Sequence, residues 1–431
     1  MSGTYDVVIA GAGPAGAQCA RDLAARNYDV VVLETEAEAD FPRQSNKSTA
    51  GTFPSMMASF GVPDDVVMNY TDSVVLESPT DYYVQDQPGA VLEFADFKRW
   101  LVAEGRADGA EYRFDARATK PIIENGSVAG VTYNGSEDVY GDIVIDATGP
   151  SAPLASALGV TELERPNQAI GIEYEFDNVV INHPQYADLT DAMMLRLDHR
   201  MAPGGYSWIF HTGGQTAKVG VCYIQNERYQ EYGSGRTIDG YLEYWLESDP
   251  RFANAEPFEG KQHRGSAHIQ YPTRLSTDSF MAIGDTVPTV DPLWGEGIHK
   301  GMLSARAAAI AADRALQLDE PNTSASMMQT YDELWHQMVA PHARVRLLMT
   351  KLLYLAPNSR YDQFMADLRK LDDGTLKKAN NGHPLSIMRL VHAGDISLLS
   401  RYVKDELGPN PLATVKGRAG RTAGALSSLF R

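Results

Sequence analysis

The chain has 431 residues, with 56 acidic against 38 basic side chains and a net charge of −18 at neutral pH. Scattered acids with few lysines make a hydrated surface that resists self-association, as a protein in high salt needs, and this saline reading is favoured over a merely acidic protein of an ordinary cytoplasm. The balance excludes nucleic acid as a partner, because phosphate binding requires a basic stripe. Cys19 and Cys222 show no C-x-x-C or Cys/His spacing, so neither a disulfide framework nor a metal site is expected. No signal-like segment or eighteen-residue apolar run occurs, which predicts a cytoplasmic chain with room for two domains and an appendage.

Tyr5 to Glu34 reads as strand, glycine turn, helix and strand: Val7 to Ile9 is a buried apolar run, Ala17 to Ala25 has helical composition, and Val30 to Leu33 is apolar again. Gly11, Gly13 and Gly16, with Ala15 between them, fit G-x-G-x-x-G, and Glu34 follows about 20 residues on. The first glycine allows the turn, the second admits a pyrophosphate close to the backbone, and the third lets helix and strand pack. The phosphates then meet unpaired N–H groups at a helix start, and the acid accepts from ribose hydroxyls. The next stretch, broken by Pro42 and Pro54, predicts a long loop and a short helix carrying the basic pair Arg43 and Lys47.

Residues 74–93 alternate as antiparallel strands, Phe94 to Arg106 is helical, and Asn134-Gly135 marks a hairpin. In Asp142 to Gly159 a buried strand ends on Asp146, followed by Thr148-Gly149 and a helix predicted from Ser151. From about Ile170 to Ile269 short alternating segments predict an antiparallel sheet. Tyr206, Trp208 and Phe210 alternate there, aiming three aromatic rings at one face: either a packed core or an apolar substrate wall. Ser279 to Leu316 gives a strand, Gly284-Asp285, a Pro/Gly loop with Gly295 and Gly297, and a helix from Ile298. The last hundred residues are mostly helical, with Tyr331 to Ala356 and Arg360 to Leu371 showing helical apolar spacing.

GAGPAG with Glu34, DATG with its helix, and GD-x5-DPLWGEGI resemble the three FAD-contact motifs of the para-hydroxybenzoate-hydroxylase-like flavoproteins. Within that group, Tyr206 to Gly213 resembles the YxWxFxxG element of the geranylgeranyl reductases, which saturate prenyl chains. The resemblance implies an α/β, α+β overall, fold: a Rossmann-like FAD-binding domain in three parts (1–73, 94–165 and 273–330), joining strands at 74–93, an inserted antiparallel-sheet substrate domain (166–272) and a helical C-terminal region (331–431). It implies FAD contacts from Gly11, Gly13, Ala15, Gly16 and Glu34 on the ADP half, with Asp146 and Gly149 beside it. Asp285, Gly295, Gly297 and Ile298 would hold the ribityl chain and flavin ring, and Arg43 and Arg99 are further candidates. Two stretches depart from the family pattern: Thr49 stands where a KPCGG-like segment has its cysteine, and Phe94 to Lys98 lacks the arginine of R-x-x-F-D, leaving Arg99 as the substitute.

An isolated trisubstituted alkene is not electrophilic, so a proton must arrive before or with the flavin hydride. Tyr206, Trp208 and Phe210 can stabilise the resulting cation through their ring faces, and His299, beside the flavin loop, is the candidate acid, or else a solvated helix-start histidine. The expected partners are a prenyl lipid or polyprenyl quinone and an electron donor, whether NAD(P)H, ferredoxin or a quinol. A monooxygenase of the same fold and a flavin-bearing lipid carrier are the competing readings. Val345 to Ala356 is apolar yet carries Arg346 and Lys351, and Lys416 to Arg431 is basic. Together they predict peripheral attachment to an anionic membrane surface on the cytoplasmic side.

Overall fold

The computed structural model describes residues 4–43, 49–380, 383–392, 394–395, 397–400 and 402. The chain opens with β1 (Thr4–Ala10), α1 (Pro14–Ala24) and β2 (Val30–Leu33), then β3 (Gly51–Thr52), α2 (Pro54–Phe60), β4 (Val67–Glu77) and β5 (Tyr82–Leu92). It continues through α3 (Phe94–Ala107), β6 (Glu111–Arg113), β7 (Ala118–Glu124), β8 (Ser127–Tyr133), β9 (Glu137–Asp146) and α4 (Pro153–Ala157). Next come β10 (Gln168–Asp177), β11 (Ala192–Arg196), β12 (Gly205–Gly213), β13 (Thr216–Ile224), α5 (Ile238–Ser248) and β14 (Glu256–His268). The final part holds β15 (Ser276–Thr277), β16 (Phe280–Ala282), α6 (Ile298–Leu316), α7 (Ala325–Leu334), α8 (Ala343–Leu355), α9 (Asn358–Leu368), α10 (Asp373–Asn380) and α11 (Pro384–Ile387).

Two eight-stranded sheets organise these elements. In the first, β16, β9, β1, β2 and β6 run parallel. Their central residues, Val7 to Ile9 and Ile143 to Ile145, are fully buried, which explains why they read as continuous apolar runs. The helices α1, α3 and α6 cover this sheet, and α6 packs through alanines that let it approach α1 closely. The second sheet has the order β14-β10-β13-β12-β11-β4-β5-β3. It is antiparallel except where β11 pairs with β4. One face packs on α5 through Ile172, Val219, Val221, Ile209 and Trp245, and the other looks towards the first sheet. The hairpin from β8 to β9 turns on Asn134 and Gly135, both at positive φ, as a two-residue turn requires.

Three helical expectations change. The helix placed at Ser151 is a single 3-10 turn, Gly149–Ser151, because Ala152 takes a left-handed conformation (φ 40°) before the short α4. The helix placed over Tyr331 to Ala356 is two helices. A π-helical turn at Trp335–Val339, then Pro341, which cannot donate to a helix, and His342 at φ 59° separate α7 from α8. In α8 the cations do not face outward: Arg346 is buried with Nη2 2.6 Å from Asp291, and Lys351 is buried with its ammonium 5.8 Å from the Tyr402 ring. Buried charges need such partners, so Arg346 and Lys351 are not available to lipid headgroups. Lys47 and the segment Lys416 to Arg431 lie outside the described residues. Among the described residues no helix is long and apolar enough to cross a membrane.

Candidate active site

The parallel sheet contributes a wall made of backbone. Gly11 sits at φ 103°, where a Cβ would overlap the Ala147 carbonyl, and a Cβ on Gly16 would overlap the Gly11 carbonyl oxygen. Both glycines therefore close the β1–α1 turn against β9. Gly13 differs: a Cβ there meets nothing within 4 Å, because this residue caps α1 and opens on a cavity of about 680 Å³. Ala15 and Gly149 line the same cavity. Glu34 braces the turn, accepting from the Ala12 N–H at 2.9 Å and the Glu36 N–H at 3.0 Å, and its two oxygens keep further lone pairs.

Asp146 corrects an expectation. It is fully buried, and its carboxylate accepts from the Thr148 N–H (3.0 Å), the Thr148 hydroxyl (2.6 Å) and the Ala155 N–H (2.9 Å). Burial pushes its carboxyl up against the lowering effect of these bonds. Asp146 thus shapes the turn from within and does not reach the cavity. Gly149 is tied to the third motif, donating its N–H to the Thr286 hydroxyl at 3.0 Å.

That third motif ends on an unpaired acid. Gly284 turns at φ 58° with its N–H on the Ser304 hydroxyl (2.9 Å), which leaves Asp285 on the cavity wall. Among the described residues its carboxylate has no hydrogen-bond partner, and burial raises its pKa to about 6. Beside it Gly297 caps α6 without a side-chain cap, so the first N–H groups of that helix, at Gly297 and Ile298, border the cavity. Gly295, at φ 66°, admits Tyr206, since a Cβ there would overlap the phenol oxygen.

The antiparallel sheet contributes a wall made of side chains. Residues directly opposite each other across a sheet share a face. The register joins Tyr206 with Cys222 and Gly171, Trp208 with Gly220 and Glu173, and Phe210 with Lys218 and Glu175. Leu195 and Met193 continue the apolar side on β11, and His263 and Gly265 continue the polar side on β14. The three rings line a mostly apolar cavity of about 150 Å³ that shares Thr49, Tyr206, Cys222, Gly295, Gly297 and Ile298 with the larger one. Small residues make room for them: a Cβ on Gly220 would overlap Trp208, and one on Gly51 would overlap Phe210. Burial pushes the Cys222 thiol up to about 12, so it is a neutral wall residue at physiological pH.

Beside the rings, on the same face of the sheet, lies a polar cluster that sequence reasoning missed. The Trp208 indole donates to Glu173 at 2.9 Å. Glu173 is 3 % exposed and its other oxygen has no hydrogen-bond partner. Lys218, equally buried, donates to the carbonyls of Leu92 (2.9 Å) and Thr49 (3.2 Å). The only signal was a charged residue in mid-strand, in IGIEYEF and AKVGVCYI, and periodicity alone does not say which face it occupies.

Three expected residues stand elsewhere. His299 is turned from both cavities, with Nδ1 3.3 Å from Glu296 and its ring edge-on to Phe60 at 6.2 Å, because the second residue of α6 projects away from the side that Ile298 covers. Arg43 and Arg99 are brought together in an open hollow bordered by Lys261, His263 and Arg264, which adjoins the large cavity at Arg264. Arg99 pairs with Asp96 at 2.7 Å and is largely exposed.

No family model matches the chain. It is 67 % identical to a digeranylgeranylglycerophospholipid reductase of Haloferax volcanii, over 94 % of this chain and 99 % of that one. It is 30 % identical to digeranylgeranylglycerophospholipid reductase 1 of Methanopyrus kandleri, over 77 % and 86 %. The fold is that of a geranylgeranyl bacteriochlorophyll reductase-like protein from Thermoplasma acidophilum (TM-score 0.75, 21 % identity, 94 % and 98 % of the two chains) and of a flavin-dependent brominase (TM-score 0.70, 19 % identity, 89 % and 94 %). The chain is an oxidoreductase that belongs to the digeranylgeranylglycerophospholipid reductase family.

Proposed function

We propose that this enzyme uses FAD to saturate the carbon–carbon double bonds of a glycerophospholipid carrying two geranylgeranyl chains. The observation that carries this reading is the junction of the two cavities: a large one walled by glycine backbone and a smaller apolar one walled by aromatic rings, sharing Tyr206, Thr49 and Cys222. A cofactor site of about 680 Å³ is within the usual range for small-molecule pockets.

The residues present fit FAD. Gly13 leaves room at a helix start for a pyrophosphate, the unpartnered Asp285 carboxylate suits a ribityl hydroxyl, and the open N-terminus of α6 suits a ring that becomes anionic on reduction. Gly11, Gly16 and Asp146 act by shaping these turns, while Ala15, Glu34, Gly149, Gly295, Gly297 and Ile298 border the cofactor. When bound and reduced, FAD supplies the hydride. Tyr206, Trp208 and Phe210 exclude water from the alkene and present ring faces to the carbocation that protonation creates. The lipid chain is drawn from a membrane surface, since each CH₂ exposed to water costs about 0.8 kcal/mol, and the protein remains on the cytoplasmic side.

The test is anaerobic. Photoreduced enzyme mixed with digeranylgeranyl phospholipid vesicles is expected to lose its reduced-flavin absorbance with formation of saturated lipid. Reoxidation that requires oxygen and ignores the alkene would overturn the reductase reading in favour of a hydroxylase. The same reduction run with NAD(P)H, reduced ferredoxin or a quinol in place of light identifies the donor.

A further inference from the structure

Alkene reduction needs a proton as well as a hydride, and the expected donor, His299, faces away from both cavities. On the polar side of the aromatic wall stands Glu173, nine-tenths buried and more, with one oxygen held by Trp208 and the other unpartnered. Lys218, on the same face as Glu173, donates to the Thr49 carbonyl at 3.2 Å, which brings Thr49 to this cluster, and Thr49 itself lines both cavities. From its own strand Glu175 faces Glu173, Lys218 faces it from β13, and His263 and Lys261 complete the face from β14. Lys261 is 2.9 Å from Glu93 and 3.6 Å from Glu175, and His263 is 4.0 Å from Glu175. Glu93, Lys261 and His263 in turn border the open outer hollow. The charged residues thus run from the outer hollow to Glu173, beside Trp208.

We propose that Glu173 is the proton reservoir of the reduction and that Thr49 hands its proton to the alkene. This rests on the reductase reading above and adds the source of the proton. The Thr49 O–H breaks as a C–H bond forms at the less substituted alkene carbon, and the Glu173 O–H proton refills the Thr49 oxygen. FAD, when bound and reduced, would supply the hydride for the second C–H bond and with it both electrons. Glu173 is left as a carboxylate near the Lys218 ammonium and is reprotonated from the outer hollow through Glu175 and His263. Burial and the neighbouring Glu175 raise the Glu173 pKa while Lys218, Thr49 and Trp208 lower it, with a net rise, so its proton is held in the resting enzyme more firmly than an ordinary carboxyl holds one.

The experiment compares Glu173→Gln, which still accepts from Trp208, with Thr49→Val and Thr49→Ser. With photoreduced, FAD-loaded enzyme and digeranylgeranyl phospholipid vesicles, Glu173→Gln and Thr49→Val are expected to slow lipid-dependent reoxidation by about 100-fold or more. Oxygen-dependent reoxidation and FAD content should stay unchanged, and Thr49→Ser should remain within several-fold of wild type. The double variant should be no slower than either single one. In the infrared, a protonated-carboxyl C=O band that is absent from Glu173→Gln should bleach transiently in wild type as the lipid reoxidises the reduced enzyme, a change during turnover that a merely structural glutamate would not supply. If Glu173→Gln loses FAD, Thr49→Val at the cavity wall carries the kinetic test alone. Turnover of Glu173→Gln or Thr49→Val within about threefold of wild type, with an unchanged solvent isotope effect, would overturn the relay while leaving the reductase reading intact. A wild type that ignores the lipid overturns both.

Discussion

The two walls of the active site are built from different materials. The parallel-sheet wall is almost all backbone, in which Gly13, Gly149 and Gly297 line the cavity, and Asp285 is the one carboxylate among its described lining residues. The antiparallel-sheet wall is almost all side chain, with three rings and, beside them on the same face, Glu173 and Lys218. A backbone wall fails when any atom is added, whereas a side-chain wall fails when an atom is removed or a charge is left alone. The first wall therefore suits a ligand that stays in place, and the second a reaction that changes charge.

The sharpest break falls on the first wall. Gly16→Val puts carbon into the space of the Gly11 carbonyl, and backbone cannot yield as a side-chain tip does. We expect a loss above about 4 kcal/mol and protein that purifies without FAD, read by thermal melting and flavin absorbance. On the second wall Trp208→Ala removes a buried ring and strips Glu173 of its donor, for about 3–5 kcal/mol. Trp208→Phe refills most of the space but leaves Glu173 unpaired, for about 1–3 kcal/mol. Prenyl-lipid turnover should fall in Trp208→Phe while FAD content holds. An Ala variant as stable as wild type would show that the ring is not packed as described.

The asymmetry also governs what could be read from the sequence. Gly11, Gly16 and Gly284 announce themselves because a missing Cβ is visible in one dimension, and the strands feeding them are uninterrupted apolar runs. Tyr206, Trp208 and Phe210 were legible as one face by alternation, but Glu173 was not, because its position opposite Gly220 and Trp208 depends on pairing across about fifty residues of chain. His299 misled for the complementary reason: a helix start places consecutive residues about 100° apart, so Ile298 can border the cavity while its neighbour meets Phe60. The division of the long C-terminal helix turned on Pro341, a breaker that the apolar spacing runs straight through, and on His342, whose left-handed backbone (φ 59°) no spacing records.

A gentler probe separates apo from loaded protein through Asp285. Its pKa, raised by burial to about 6, means that the folded apo protein holds this proton more tightly than the unfolded chain. The Asp285 contribution to apo stability is therefore fully unfavourable above about 6 and is relieved as the pH falls towards the ordinary carboxylate range. A ribityl hydroxyl donating to the carboxylate has the opposite sign, so FAD affinity should weaken on acidification through about 6. Melting curves of apo protein and FAD titrations across that range are expected to slope in opposite directions, and Asp285→Asn should flatten both. Parallel slopes would remove Asp285 from the cofactor site.

The smallest expected effect lies outside both walls, at Arg99. Its ion pair with Asp96, at 2.7 Å, joins side chains that are each more than half exposed, and pairs of that kind contribute about 0–1 kcal/mol. Arg99→Ala should therefore shift stability by no more than about 0.5 kcal/mol. The hollow that Arg99 shares with Arg43 is open and adjoins the large cavity at Arg264, but neither arginine lines that cavity, so the same variant should bind FAD as wild type does. Charge supplies the discriminating control, because a phosphate contact would make the loss of affinity in Arg99→Ala larger at low salt than at high salt. A tenfold or greater loss at low salt, shared by Arg43→Ala, would show that the cofactor reaches across the first wall into this hollow. In that case the backbone wall is not the whole phosphate site, and the basic pair read from the sequence regains the role first expected of it.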